Sequence, residues 1–183
     1  VDPFADDAIE QIDAALAMHD VAVVQIELIQ GVGGVRRIPD VVLRHLDAGR
    51  KSHGFLLLID EVQTGMFRTG PFTLSQSLGI TPDLLVIGKA ISDMVFPFAL
   101  TLHSSAVAEQ LTRIGSDLPG RIRDRYGYTF GYHSSLNVLR FAEQTRLEDQ
   151  VAAAGALIET LLKQELGSCA AVRDIRVHGL LIG

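Results

Sequence analysis

The 183-residue sequence contains a single cysteine, Cys169, and no tryptophan. One cysteine cannot form an internal disulfide, and it cannot supply the set of thiolates that a Cys-based zinc site needs. Since nothing in the cysteine usage indicates an oxidising compartment, a reducing cytoplasm fits best.

Aromatic side chains, basic stripes and long apolar runs are also scarce. Phe, Tyr and Trp together make up 6% of the chain, and acids and bases are mixed to a net charge of -6. Few rings are available to stack on bases, and no basic stripe is available to contact phosphates. The apolar runs are too short to span a bilayer, and the acidic start of the chain lacks the basic residues of a signal peptide. We therefore expect neither a nucleic acid nor a membrane as partner.

Hydrophobic residues make up 48% of the chain and charged residues 21%, as in an ordinary globular domain. Short apolar runs alternate with amphipathic segments of helical spacing. The predicted strands begin at Val21, Phe55, Asp83 and Phe98, and the predicted helices cover residues 5–20, 39–54, 74–79 and, as one or two helices, 134–166. This alternation predicts an α/β fold, a doubly wound and mostly parallel sheet with helices on both faces.

Local signals refine this prediction. In the second helix, Pro39 marks the first helical position and Gly54 the stop, and the inner face is formed by Val42, Leu43 and Leu46. Residues 113–128, rich in Gly, Pro and Arg, predict an exposed loop.

The pattern changes from helical to alternating near residue 165. We therefore predict a large-domain portion over residues 1–165 and the incomplete start of a small C-terminal domain over residues 166–183. The closing residues 177–183 resemble a strand, which suggests that the chain is one piece of a larger protein.

Polar side chains follow three of the predicted strands. Glu27 ends the first strand, Asp60 and Glu61 end the second, and Lys89 lies just past the third. In an open parallel sheet, ligands bind in the crevice beyond the carboxyl ends of the strands. If the second and third strands are neighbours, as consecutive strands often are, Asp60 and Lys89 open into one crevice.

An acid and an amine at adjacent strand ends have two interpretations. One is a structural salt bridge at the edge of the sheet. The other is a pyridoxal phosphate site, because a lysine can form an imine with an aldehyde and a carboxylate can keep a pyridine nitrogen protonated. Gly88 and Ala90 flank the lysine and leave room for a planar ligand, which favours the second interpretation.

Six short motifs follow one another over nearly the whole chain. They are ELIQGVGGV (27–35), DEVQTG (60–65), RTG (68–70), PDLLVIGKA (82–90), YTFG (128–131) and DIRVHGLLIG (174–183). Together they resemble the class III aminotransferases of the ornithine and omega type, which are pyridoxal phosphate enzymes of fold type I. The resemblance implies transfer of an amino group from an amine or amino acid to a keto acid.

The resemblance also implies roles for individual residues. Lys89 would form the Schiff base with the cofactor and then move the proton during catalysis. Asp60 would bind the pyridinium nitrogen, and Gln63 would lie near the phenolic oxygen. Thr129 would donate its hydroxyl to the cofactor phosphate of a neighbouring subunit, so the enzyme would be a homodimer with shared sites. Glu27 would lie on the substrate side, although a buried acid balancing a nearby cation is an equal interpretation.

The chain departs from the family pattern at several positions. Val32 stands where relatives usually carry a second glutamate, which argues against a glutamate-type dual-substrate switch. The segments that usually precede and follow this region are missing, among them the loop that cradles the phosphate. His133 and His178 lie in ordinary loop and strand contexts, so we predict no metal site.

Three alternative functions remain. A truncated or degenerate relative would serve as a non-catalytic dimerisation module. A decarboxylase, racemase or aminomutase would use the same lysine and aspartate. A dinucleotide-binding oxidoreductase is a poor match, because GVGG at 31–34 is too short for the GxGxxG fingerprint.

Overall fold

The structure, a computed structural model, describes residues 1–18 and 20–183, so residue 19 of the first predicted helix lies outside the described residues. The helices are α1 (Ala8–Leu16), α2 (Asp40–His53), α3 (Leu74–Ser77), α4 (Ser105–Arg113), α5 (Leu118–Tyr126), α6 (Thr129–Thr145) and α7 (Leu147–Leu166). The strands are β1 (Val23–Glu27), β2 (Ile29–Gln30), β3 (Arg36–Arg37), β4 (Leu56–Asp60), β5 (Leu84–Ile87), β6 (Leu100–His103), β7 (Val177–His178) and β8 (Leu181–Ile182).

Four of these strands form the central sheet in the order β1-β4-β5-β6. β4 is parallel to both β1 and β5, and β6 runs antiparallel to β5 at the edge. The predicted α/β class with a mostly parallel sheet is confirmed, and so is the predicted pairing of the second and third strands. The carboxyl ends of β1, β4 and β5 therefore meet along one edge of the sheet.

The main hydrophobic core lies between one face of this sheet and the helices α1 and α2. Leu57 and Ile59, alternate residues of β4, are 2% and 1% exposed and belong to this core. The inner face of α2 is formed by Val42, Leu43 and Leu46, as its spacing predicted. Burial of this face holds β4 in register, because a slip by one residue would turn its side chains to the opposite face.

The ends of α2 follow from two residues. Pro39 is the N-cap, so α2 begins one residue later than predicted, and the fixed φ of -58° suits the start of a helix. Gly54 ends the helix with a φ of 76°, a left-handed conformation that glycine adopts without strain.

The prediction for residues 113–128 was wrong. Residues 113–128 were expected to form a loop, whereas α5 occupies 118–126 of this stretch. Pro119 lies in the first turn of α5, where its missing N–H removes no helical hydrogen bond, so the proline starts a helix instead of breaking one. The expected exposure holds, since each of residues 121–126 is exposed.

The last segment forms a hairpin and not a single strand. β7 and β8 pair antiparallel around Gly179, whose φ is 61°. Leu181 packs with Ile29 and Val35, and the Leu180 amide donates a hydrogen bond to the Arg68 carbonyl at 2.9 Å. The division of the chain into two domains near residue 165 stays a prediction. Among the described residues, no helix is both long and apolar enough to cross a membrane.

Candidate functional site

Glu27, Asp60 and Lys89 lie at or just beyond the carboxyl ends of three neighbouring strands of the central sheet. Glu27 at the end of β1 is in register with Asp60 at the end of β4, and Asp60 is in register with Val86 of β5. Glu27 and Asp60 are therefore backbone neighbours across the β1–β4 pair. Lys89 begins a short 3₁₀ turn just beyond β5.

The backbone of this turn presents the lysine to solvent. Ile91 and Ser92, at 1% and 0% exposed, anchor the turn in the interior, while Lys89 itself is exposed. Lys89 has a φ of 49°, a left-handed conformation that is uncommon for a residue with a side chain. Such strained positions cluster at functional sites, where the surrounding structure holds them in place.

The first turns of α6 support the same 3₁₀ turn. The Ser134 hydroxyl donates to the Ser92 carbonyl at 3.3 Å, and buried Gly131 lies against the ring of Phe98. The α6 helix therefore fixes the segment that carries Lys89.

Lys89 and Gln63 are in direct contact. The lysine Nζ donates a hydrogen bond to Gln63 Oε1 at 3.2 Å. Both side chains line a cavity of about 330 Å³, a volume typical of small-molecule sites. The described residues that line it are Val62, Gln63, Gly65, Arg68, Lys89, Ala90, Met94, Leu180 and Leu181.

Asp60 is held at the strand end by a local hydrogen bond. Its Oδ1 accepts from the Val62 amide at 3.0 Å, which fixes the carboxylate and turns the chain toward the cavity. Asp60 is half-buried and is not among the described residues that line the cavity. The nearby residues Val62 and Gln63 do line it.

The other two predicted site residues, Glu27 and Thr129, are not among the described residues that line the Lys89 cavity. Glu27 is exposed and lines a separate cavity of about 530 Å³ among α1, β1 and α2. Thr129 is exposed at the first residue of α6 and is not among the described residues that line the Lys89 cavity. A single chain does not test the expectation that Thr129 serves a neighbouring subunit.

Seven of the nine described lining residues were not predicted as site residues. Arg68 and Met94 come from loops, and Leu180 and Leu181 come from the terminal hairpin. The hairpin is distant in sequence from Lys89, and periodicity alone does not reveal such a contact. The available signal was the RTG motif, which placed Arg68 close after Gln63.

The chemistry of the side chains fits pyridoxal phosphate. An exposed primary amine faces a cavity, an amide oxygen holds it, and a carboxylate lies at the next strand end. These are the groups that an aldehyde and a pyridine nitrogen require. Among residues 1–18 and 20–183, no group of three His, Cys, Asp or Glu side chains is placed to hold a metal ion.

Comparisons with known proteins agree on one family. The family model described as Aminotransferase class-III matches residues 3–183. The chain is 32% identical over 165 residues to the acetylornithine aminotransferase of Methanothermobacter thermautotrophicus, covering 90% of this chain and 40% of that protein. It is 30% identical over 165 residues to the 5-aminovalerate aminotransferase of Pseudomonas putida, covering 90% of this chain and 37% of that protein.

A solved structure extends the comparison to the fold. The ornithine aminotransferase of Toxoplasma gondii is similar with a TM-score of 0.80 and 30% identity, covering 96% of this chain and 40% of that one. The chain spans about two fifths of the length of the curated relatives that it matches. From the family model, the relatives and the fold together, the chain belongs to the class III aminotransferases, a family of pyridoxal phosphate-dependent enzymes of fold type I.

Proposed function

We propose that the protein transfers an amino group from an amine or amino acid to a keto acid, with Lys89 as the residue that bonds covalently to the aldehyde carbon of pyridoxal 5'-phosphate. The observation that carries the proposal is the exposed Lys89 amine, held by Gln63 Oε1 at 3.2 Å beside a cavity. An amine so placed is free to react, and it has room for a ring beside it. Membership of the family supports the same activity.

Each side chain has a distinct task in this proposal. Lys89 binds the cofactor and then moves a proton at its Nζ, as a positioned acid and base. Gln63 orients that amine and would contact the phenolic oxygen of the bound cofactor. Asp60 keeps the pyridine nitrogen protonated, since a carboxylate favours the charged form of a nearby cation. When bound, the cofactor supplies an electron sink for the carbon from which the proton is taken.

The first test concerns the bond to Lys89. The full gene product, mixed with pyridoxal phosphate, should acquire the visible absorbance of a lysine-bound cofactor, and Lys89→Ala should abolish it because no amine remains at the cavity. Lys51→Ala is the matched control, since Lys51 is exposed in the last turn of α2, outside the six motifs and outside the lining of the Lys89 cavity as described. A wild-type protein that stays colourless would instead support the non-catalytic module.

A second test identifies the reaction. Amine donors are screened against pyruvate and 2-oxoglutarate, and amino transfer is read as formation of the new amino acid. If the cofactor is bound but every donor fails, the decarboxylase, racemase or aminomutase alternative is favoured. The glutamine of DEVQTG favours transamination among these alternatives.

We also propose a homodimer in which Thr129 serves the cofactor phosphate of the partner subunit. The position of Thr129 supports this, because Thr129 begins a 17-residue helix and the free backbone N–H groups of a first helical turn suit a phosphate. Thr129→Ala and Lys89→Ala should each be inactive alone. Mixed dimers would contain one intact site, so refolding the two variants together should restore about a quarter of wild-type activity if subunits mix at random. No recovery from a mixture that forms hybrid dimers would contradict shared sites.

Localisation in a reducing cytoplasm completes the proposal. Cys169 is an exposed free thiol, which suits a compartment that keeps cysteines reduced. Fractionation of cells that express the protein, with detection by a specific antibody, tests this directly. Recovery in a secreted or membrane fraction would contradict it.

A further inference from the structure

Gly31 lies against the side chain that holds Lys89. It is the first residue after β2, in the loop that leads to β3. A Cβ atom built on Gly31 would lie 2.4 Å from Gln63 Oε1, 2.6 Å from Cδ and 2.7 Å from Nε2. Real Cβ contacts are never this short, so any side chain at position 31 displaces the Gln63 amide.

The backbone at Gly31 has no need of a glycine for its own conformation. Gly31 is absent from the positive-φ glycines of the described chain, which include its loop neighbour Gly34 at 89°. Its φ is one that any residue adopts. The close approach to Gln63 is therefore the feature that requires a glycine at this position.

The loop is held on both sides, so it cannot easily move away from Gln63. Before Gly31, Ile29 is 1% exposed and pairs with Arg37 of β3. After it, the Gly34 carbonyl accepts a hydrogen bond from Arg176 Nε at 2.8 Å. In contrast, the three Gln63 atoms nearest to Gly31 are the end of a flexible side chain. A larger residue at position 31 would therefore move Gln63 and not the loop.

Gln63 thus lies between Gly31 and Lys89. The same Oε1 that is nearest to the missing Cβ accepts the hydrogen bond from Lys89 Nζ. We propose that Gly31 is a positioning residue, whose lack of a side chain leaves the space in which the Gln63 amide reaches Lys89. The inference rests on the proposed function for its catalytic meaning, but the contact itself is a property of the cofactor-free chain.

The loop also offers a matched control. A Cβ on Gly33 would lie 2.7 Å from Gln30 Oε1 and 3.0 Å from Gln30 Cβ. Gly33→Ala therefore forces a different glutamine to move, Gln30 at the end of β2, which is not among the described residues that line the Lys89 cavity. A general disturbance of the loop would appear in both Gly31→Ala and Gly33→Ala. Loss of the hydrogen bond between Gln63 and Lys89 would appear only in Gly31→Ala.

The contact is tested first without cofactor. In wild type and Gly33→Ala, the Gln63 side-chain amide protons should show nuclear Overhauser effects to the Lys89 methylenes, and in Gly31→Ala these effects should be lost. The midpoint of urea unfolding should stay the same in all three proteins, since the group displaced is flexible. Retention of the Gln63 effects in Gly31→Ala would overturn the inference.

The second test uses the full gene product loaded with pyridoxal phosphate. The pH midpoint of its visible absorbance should shift in Gly31→Ala and in Gln63→Ala in the same direction, and kcat should fall by roughly tenfold with little change in KM. In the Gln63→Ala background, Gly31→Ala should cause no further loss of kcat, because both substitutions remove the same interaction between Gln63 and Lys89. Additive effects, or a shift of equal size in Gly33→Ala, would overturn the inference. A wild-type protein that never acquires the absorbance would contradict the proposed function, and the first test would still decide the role of Gly31.

Discussion

Asp60 and Glu61 are adjacent acids with opposite surroundings. Asp60 is half-buried at the edge of the sheet, with Oδ1 bound to the Val62 amide. Glu61 is completely buried, and its two oxygens accept four hydrogen bonds, from the Thr64 hydroxyl, the Leu74 amide and the amide and hydroxyl of Ser75. Asp60 therefore stays at the edge of the sheet, while Glu61, the residue after β4, joins the loop to α3.

Replacement of Glu61 should therefore destabilise the fold. Glu61→Ala leaves the donors at the start of α3 buried without a partner, and we expect the free energy of unfolding to fall by about 3 kcal/mol. Glu61→Gln should lose less, because one acceptor oxygen remains. Urea titration measures both. Glu159→Ala is the control, because this carboxylate forms an exposed ion pair with Lys163 on α7 and should change stability by no more than about 0.5 kcal/mol.

His178 should make the stability of the protein depend on pH. Burial lowers the pKa of His178 below its ordinary value of 6.5, and the charge of Arg37 lowers it next. The Val35 backbone and Glu159 raise this pKa and Arg176 lowers it, so the net direction is downward. Below pH 6.5 the unfolded chain binds a proton that the folded chain does not, and the free energy of unfolding falls until the lower folded pKa is passed.

The corresponding prediction compares unfolding at about pH 7.5 and about pH 5.5. Wild type should be less stable at the lower pH, and His178→Gln should reduce that difference because the titrating ring is removed. Urea midpoints at the two pH values provide the measurement. Identical pH dependence in the two proteins would show that His178 does not contribute.

At the scale of single elements, α2 shows how two glycines in one segment differ. Gly54 ends the helix with a positive φ, and nothing lies within 4 Å of the Cβ that it lacks. Gly49 lies inside the helix, where an added Cβ would meet His53, Leu16 and Phe55 at 3.9 to 4.0 Å, ordinary packing distances. The first position needs glycine for its backbone, and the second does not.

Alanine at these two positions should have opposite effects. Gly54→Ala should destabilise the protein by about 1 kcal/mol, because alanine is strained at a positive φ. Gly49→Ala should stabilise it by about 0.5 to 1 kcal/mol, because alanine has the higher helix propensity. Thermal unfolding monitored by circular dichroism measures both, and each variant serves as the control of the other. A change of the same sign in both would contradict this account of the α2 terminus.

Elements also show where sequence patterns suffice. The four strands of the central sheet and α2 were predicted from such patterns, and in α2 the regular period comes from one buried face, Val42, Leu43 and Leu46. The helix α5 was not predicted, because residues 121–126 have no buried face to produce such a period. Pro119 did not help, because proline occurs both in loops and in the first turn of a helix.

At the scale of the whole molecule, the site combines parts that patterns predict with parts that they do not. The positions of Asp60 and Lys89 followed from strand ends and strand order. The contact of Gln63 with Gly31 and the arrival of the hairpin at the cavity depend on loop conformations, which carry no periodic signal. A family resemblance located Gln63, but only the structure places its amide on the lysine.

The docked hairpin provides the prediction at this scale. Leu181 is 8% exposed and packs on Ile29 and Val35, while its neighbour Ile182 is 42% exposed. Leu181→Ala should lower the free energy of unfolding by about 2 to 3 kcal/mol and weaken cofactor binding, because the hairpin also lines the cavity. Ile182→Ala should change both far less. Urea titration and cofactor titration make the measurements, and equal losses in the two variants would contradict a specific role for the hairpin.

The hairpin contact has a consequence for the order of events during synthesis. Val62 and Leu181 line the same cavity although much of the chain separates them, and contacts between such distant segments form late. A ribosome therefore cannot expose a finished cavity until residue 181 has left its exit tunnel. By then all four strands of the central sheet have been synthesised.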